Sequence, residues 1–305
     1  MPHKAYRAPT LLVTGSNGQV GFELRRSLAP LGNVIALDRA ACDLSRLDEL
    51  RQLVRQYRPD VIVNPAAYTA VDKAETDAET AFAVNGTAAG VLAEEARGLD
   101  SLLVHYSSDY VFDGRKAGPY VESDAVGPQS VYGRSKLAGE QAIAASGAAA
   151  LVLRTSWVAG AHGGNFAKTM LKLGRERGSL RVVADQFGAP TSAALIADVT
   201  AQIVARHWLA GDRAAFVGGI YHLAAAGEAS WHAYATEVLR YAASLGVELT
   251  VDLAAIIPIP ACEYPLSVPR PANSRLDTSK LRETFDIHLP DWQQGMHFLL
   301  DQILS

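Results

Sequence analysis

The chain has 305 residues, 49% of them apolar and 20% charged, and 28 Lys and Arg stand against 32 Asp and Glu for a net charge of −4. That balance gives no footing for nucleic acid or an acidic membrane surface, and no apolar run reaches the roughly 18 residues of a membrane span. The two cysteines, Cys42 and Cys262, have no C-x-x-C partner, so neither a metal knuckle nor a disulfide framework is expected. The first ten residues carry basic side chains but no separate apolar core and no cleavage site, so no signal peptide is expected. A cytoplasmic enzyme fits this composition.

Taken in order, the chain opens on a strand, 11–13, that runs into Gly15, Gly18 and Gly21 and then an amphipathic helix over 22–28. A diphosphate needs backbone N–H groups brought close to it. Glycine removes the blocking side chain, and a helix N-terminus offers free donors and a partial positive charge, here from Gln19, Val20 and Gly21. The spacing is G-x-x-G-x-x-G rather than the commoner G-x-G-x-x-G. A second buried strand is expected at 33–37, a helix at 46–57 and a third strand at 60–64. One long helix should cover 75–97, where Ala78, Phe82, Ala89, Leu92, Ala93 and Ala96 recur at helical spacing. A fourth strand follows at 101–106, a helix at 133–145 and a fifth strand at 150–154.

Short apolar strands alternating with helices define an α/β fold with a doubly wound, Rossmann-like parallel sheet. Ligands in such sheets gather at the carboxyl ends of the strands. The second strand ends at Asp38 and Arg39: the carboxylate could bond ribose hydroxyls, favouring NADH, and the guanidinium could pair with a 2′-phosphate, favouring NADPH. Asp43 and Leu44 follow in the next turn and are counted with the cofactor site, as are Ala66, Ala67 and Tyr68 after the third strand. From Trp157 onward the alternation weakens. The reading is a dinucleotide-binding domain over 1–155 and a smaller, partly interleaved substrate part over 156–305, of which 193–223 could return to the first as a helix at 193–208 and a strand at 220–223.

Tyr132 and Lys136 form a Y-x-x-x-K, and on a helix residues four apart share a face. A nearby ammonium should lower the tyrosine pKa from about 10 toward neutrality and make it a proton donor or acceptor. Ser108, at the end of the fourth strand, offers a hydroxyl to a substrate carbonyl. The scattered histidines suggest no metal site.

The glycine loop, the strand-end serine and the Y-x-x-x-K together resemble the extended short-chain dehydrogenase/reductases, which act on nucleotide sugars. Longer strings resemble the dTDP-4-dehydrorhamnose reductases: NPAAYTAVDKAE at 64–75, SSDYVF at 107–112, RTSWV at 154–158, NFAKTM at 165–170, DQFGAPT at 185–191 and RPANSRL at 270–276. The resemblance runs from about residue 10 to the end of the chain. It implies hydride delivery from NADPH or NADH to the 4-keto carbon of dTDP-4-dehydro-6-deoxy-L-mannose, giving dTDP-L-rhamnose. Tyr132 would protonate the alkoxide, Lys136 would hold the nicotinamide ribose and Ser108 would orient the carbonyl. Asp109, Trp157, Asn165, Lys168 and Arg270 would meet the dTDP-sugar, and Arg275, beside the same proline-broken loop, also suits phosphate. Ser108 stands where this family commonly has Thr, and Pro65 where it more often has Ala, so a cofactor contact there must come from Ala66, Ala67 or a side chain.

Two other readings stay open. Dehydratases of the superfamily carry an Asp-Glu pair after the strand-end hydroxyl, and here Asp109 is followed by Tyr110; this weighs against dehydration and less against epimerisation. The regulatory subunit of methionine adenosyltransferase also resembles this family and binds NADP without catalysing; the intact Ser108, Tyr132 and Lys136 favour an enzyme. No metal is assigned, and a homodimer is left open.

Overall fold

The computed structural model describes residues 7–264 and 266–305. The stretch on which the absence of a leader rests lies, over residues 1–6, outside them. Its first elements are β1 (Thr10–Val13), α1 (Gln19–Leu28), β2 (Asn33–Ala36), α2 (Leu47–Tyr57) and β3 (Val61–Asn64). Then come α3 (Val71–Ala74), α4 (Ala78–Phe82), a π-helical stretch Ala83–Thr87, and α5 (Ala88–Gly98). The third set is β4 (Leu102–Ser108), α6 (Val131–Ser146) and β5 (Ala150–Thr155).

The rest of the chain is more broken. It comprises β6 (Val158–Ala159), α7 (Phe166–Glu176), β7 (Leu180–Val183), β8 (Phe187–Gly188), β9 (Thr191–Ser192), α8 (Ala193–Ile203), β10 (Gly219–His222), β11 (Ala229–Ser230), α9 (Trp231–Ser244), β12 (Ile256–Ile259), α10 (Ser279–Phe285) and α11 (Trp292–Leu304). A π-helical stretch, Val204–Leu209, extends α8.

Six strands form one sheet in the order β2-β1-β3-β4-β5-β10, and every pairing is parallel. Side chains alternate across it, as the two-residue period of a strand requires. Leu11, Val13, Val61 and Val63 pack on the face covered by α1, α8 and α10, whereas Leu12, Ile62 and Leu103 pack on the face covered by α2, α5 and α6. The fold is therefore Rossmann-like, a parallel sheet with helices on both faces. A separate cluster of Met170, Tyr234, Leu239, Met296 and Leu300 unites α7, α9 and α11. Strand order reverses beside β1: the chain passes from β1 to β2 on one side and from β3 to β4 on the other, which opens at the carboxyl ends of β1 and β3 the crevice in which such sheets take ligands.

Three expectations are corrected. The second strand is not buried: β2 is the sheet's edge, with Asn33 and Ala36 exposed, because among the described residues no strand pairs with its outer side. The long helix expected over 75–97 is α4, a π-helical turn and α5. The turn widens at Asn85, whose side chain leaves the helix pattern to accept from Tyr68 N–H (2.9 Å) and donate to Tyr68 C=O (3.0 Å) and Ser135 Oγ (2.9 Å). The helix expected over 193–208 changes to π-helical winding after Ile203.

Candidate active site

The glycine turn sits at the crevice between β1 and β3. Gly15 has φ +55°, and a Cβ there would lie 2.8 Å from Ala66 Cα. A Cβ on Gly21 would lie 2.2 Å from the Gly15 carbonyl oxygen. Gly15 C=O accepts from Gly18 N–H at 2.9 Å, and no side chain caps α1. The first-turn N–H groups of Gln19, Val20 and Gly21 have no acceptor within the helix. This side-chain-free cradle with free donors fits the diphosphate of a dinucleotide.

Asp38 accepts from Asn17 Nδ2 and Ala41 N–H, both at 3.0 Å, and Arg39 beside it is exposed. Asp43 accepts from Ser45 N–H and Oγ, which hold its carboxyl below the usual range. Leu44 is buried in the core, so only its backbone is available to a cofactor. Ala66 lies under Gly15, and Tyr68 is clamped through its backbone by Asn85 and through its hydroxyl by Asp77 (3.0 Å). Asn85 is a positioning residue that sequence reasoning missed; its one signal was an Asn within an apolar helical run.

The catalytic candidates come together. Ser108 caps the turn Asp109–Val111, accepting from Tyr110 N–H at 3.2 Å and donating to Asp109 Oδ1 at 2.8 Å. Helix α6 starts against this turn. Ser130 Oγ and Glu75 Oε1 cap its first turn at 3.1 and 2.7 Å, and a Cβ on Gly133 would lie 2.2 Å from Tyr110 C=O. Tyr132 is thereby set edge-on to Tyr110, ring centroids 5.3 Å apart.

One electrostatic expectation is overturned. Burial pushes the Tyr132 phenol up to about 12, with Ser108 pulling it back and Asp109 raising it further. The Lys136 ammonium does not lower it, because Nζ donates instead to the Tyr106 carbonyl at 2.5 Å. Lys136 is itself buried, which lowers it to about 8, against the opposing pull of Glu140. Asp109 is raised by burial to about 6, with hydroxyls of Ser274 and Ser108 drawing it back. The site thus presents a protonated phenol beside a hydroxyl. Behind it a buried chain runs from Thr14 Oγ1 to Asn64 Oδ1 (2.6 Å) and from Asn64 Nδ2 to His105 Nδ1 (3.0 Å), tying β1, β3 and β4 under the glycine turn.

Tyr110 also lines a cavity of about 600 Å³ with Trp157, Arg177, Arg181, Trp231 and Arg270. Trp157 has φ +49° and stacks on Trp231 at 3.6 Å; a Cβ on Gly188 would lie 2.6 Å from its indole, which explains that glycine. Arg270 is ion-paired to Asp72, which also accepts from Ser267 Oγ at 2.6 Å. Arg275 is held by Glu228 (2.9 Å), Asn273 Oδ1 (2.8 Å) and Ala117 C=O, which occupy its guanidinium.

Asn165 and Lys168 are hydrogen-bonded within the fold. Asn165 caps α7, and its Nδ2 donates to Gln19 Oε1 (3.0 Å) and Gly160 C=O (2.8 Å). Lys168 Nζ donates to Ala161 and Gly163 carbonyls. Gln19 therefore links the glycine turn to residues 160–165. Among the described residues, no group of three or more His, Cys, Asp or Glu is placed to hold a metal, and no helix is long and apolar enough to cross a membrane.

A parallel α/β sheet, a glycine cradle at its switch point and a Tyr–Lys pair beside a strand-end serine define an oxidoreductase of the nucleotide-cofactor kind. Comparison with known proteins narrows this. Residues 9–305 match the RmlD substrate binding domain, and the chain belongs to that family. It is 48% identical to the dTDP-4-dehydrorhamnose reductase of Burkholderia thailandensis over 97% of this chain and 99% of that protein. It is 44% identical to the Escherichia coli enzyme of the same name, covering 97% and 98%. The crystal structure of the Bacillus anthracis dTDP-4-dehydrorhamnose reductase in complex with NADP superposes with a TM-score of 0.87 at 30% identity, covering 96% of this chain and 99% of that one.

Proposed function

We propose that this chain reduces the 4-keto group of dTDP-4-dehydro-6-deoxy-L-mannose to give dTDP-L-rhamnose, with NADPH or NADH as reductant. The observation that carries the reading is the Tyr132 side chain brought against Ser108 by the start of α6, with Lys136 one turn along the same helix. The bound nicotinamide supplies the hydride. Tyr132 gives its proton to the oxygen that gains charge, and Ser108 aligns that oxygen by hydrogen bonding. Lys136 would hold the nicotinamide ribose and add positive charge beneath it. Gln19, Val20 and Gly21 N–H groups would hold the diphosphate, and Asp38 and Arg39 the adenosine ribose. Trp157, Asp109, Asn165, Lys168 and Arg270 serve the sugar nucleotide, Asn165 and Lys168 by fixing the wall at 160–165.

Tyr110 in place of a second carboxylate after Asp109 argues against dehydration. The reading divides the chain into a dinucleotide part, 1–155 with 193–223, and a nucleotide-sugar part for the remainder. It also places the enzyme in the cytoplasm, in keeping with an exposed free thiol at Cys262. The test is to supply purified protein with the dTDP-4-keto-6-deoxy sugar and each reduced cofactor and follow nicotinamide absorbance. Absorbance loss that depends on the sugar supports the reductase. Cofactor binding without turnover would favour the regulatory alternative, and sedimentation velocity reads the oligomeric state.

A further inference from the structure

Trp157 has a backbone that a core aromatic does not need. Its φ of +49° lies in the left-handed region, where a bulky residue persists only if its surroundings over-determine it. The indole is partly buried and lines the cavity. Three contacts hold it. The Trp157 carbonyl accepts from Thr191 N–H at 3.2 Å. Trp231 covers one face of the indole, with ring centroids 3.6 Å apart and planes 14° from parallel. A Cβ on Gly188 would lie 2.6, 2.9 and 2.9 Å from Cε2, Cδ2 and Nε1. Those atoms all belong to the five-membered ring and are nearly equidistant, so Gly188 stands over the face of that ring and not at its edge. The stack leaves no room between the two indoles, so this face is the one turned away from Trp231.

The two flanks share one support. β8 and β11 pair antiparallel, with Gly188 opposite Ala229 and Phe187 opposite Ser230. Trp231 follows Ser230 directly and opens α9, which Ser230 Oγ caps by accepting from Ala233 N–H at 3.1 Å. On its other side β8 is tied to residues 272–274: Phe187 N–H donates to Ala272 C=O at 2.9 Å, and Ser274 N–H to Phe187 C=O at 2.7 Å. Phe166 packs on Trp231 with ring centroids 4.6 Å apart. We infer that Gly188 and Trp231 are positioning residues that clamp the Trp157 indole as the aromatic wall against which the sugar ring packs. The inference rests on the role given to Trp157 in the reductase reading. The sugar, and not the base, follows from chain position: Trp157 comes two residues after Thr155, which pairs with Ser108 across β5 and β4. The indole is thus anchored beside the hydroxyl that orients the carbonyl. A side chain at 188 would drive the ring against Trp231, and the indole would have to turn out of the stack.

The test compares Gly188→Ala, Trp231→Leu and Trp231→Phe with wild type. Two stacked indoles give an exciton couplet in far-ultraviolet circular dichroism, assigned by its loss in Trp157→Phe. Gly188→Ala alters neither tryptophan, yet it should abolish the couplet. Gly188→Ala and Trp231→Leu should each raise KM for the dTDP-4-keto-6-deoxy sugar by about three- to tenfold, the size of one aromatic contact. Turnover at saturation, and affinity for dTDP, which lacks the sugar, should stay within about twofold of wild type. Trp231→Phe keeps a ring behind Trp157 and should hold KM near wild type. A couplet that survives Gly188→Ala, or a KM unchanged in Gly188→Ala and Trp231→Leu, overturns the inference. An equal loss of dTDP binding does so too, because it reports a collapsed cavity. Should Gly188→Ala not fold, the contrast between Trp231→Leu and Trp231→Phe decides. A wild-type protein without turnover sinks the reductase reading, and the couplet in Gly188→Ala still decides the clamp.

Discussion

Asp109 gives the sharpest quantitative prediction. Its carboxyl is 4% exposed, and burial raises it from 3.8 to about 6. Each pKa unit is worth about 1.36 kcal/mol of preference between protonation states, so ionising this group in the folded protein costs about 3 kcal/mol relative to the unfolded chain. The folded state binds the proton more tightly. Its contribution is therefore fully present below pH 4 and is lost as pH rises through about 6. Asp109→Asn keeps the shape and the acceptor for the Ser108 hydroxyl but cannot ionise. The variant should gain stability over wild type as pH increases from 4 to 6, reaching about 3 kcal/mol and staying level to pH 8. Paired urea-denaturation curves at pH 4.5, 6 and 8 measure the difference. A stability difference that does not change with pH refutes the argument, because only the buried ionisation is pH-dependent.

The remaining predictions concern chemistry and cofactor. Tyr132→Phe keeps the ring and its packing on Tyr110, so turnover of the keto sugar should drop by roughly 10²–10⁴-fold with NADPH affinity nearly unchanged; wild-type turnover would remove Tyr132 from the mechanism. Gly21→Ala drives a Cβ to within 2.2 Å of the Gly15 carbonyl, a backbone atom that cannot move without opening the turn, so cofactor binding should fall at least about tenfold and stability by about 1–3 kcal/mol. Calorimetric titration and thermal melting check the two effects. Asp38→Ala should weaken NADH more than NADPH and Arg39→Ala the reverse; if neither alters the NADH/NADPH ratio, discrimination lies elsewhere than the end of β2.

Much of this protein was legible in the residue order because the relevant signals are local. An apolar run, three glycines and a helix share one short stretch, so the cradle at Gly15–Gly18–Gly21 follows from steric and dipole arguments alone. Helical periodicity likewise puts Tyr132 and Lys136 on one face, and strand ends mark Ser108 and Asp109. Other features depend on what a side chain meets across the fold. No spacing rule reveals that the helix would widen at Asn85, whose side chain clamps Tyr68, or that β2 would be an edge. Nor does it reveal that Glu228 and Asn273 would occupy Arg275. The direction of the Tyr132 shift is the clearest case. Sequence proximity to a lysine argues for a lowered pKa, but desolvation is a property of the assembled site. Tertiary packing buries the phenol and turns the ammonium toward the Tyr106 carbonyl, so burial outweighs the neighbouring charge.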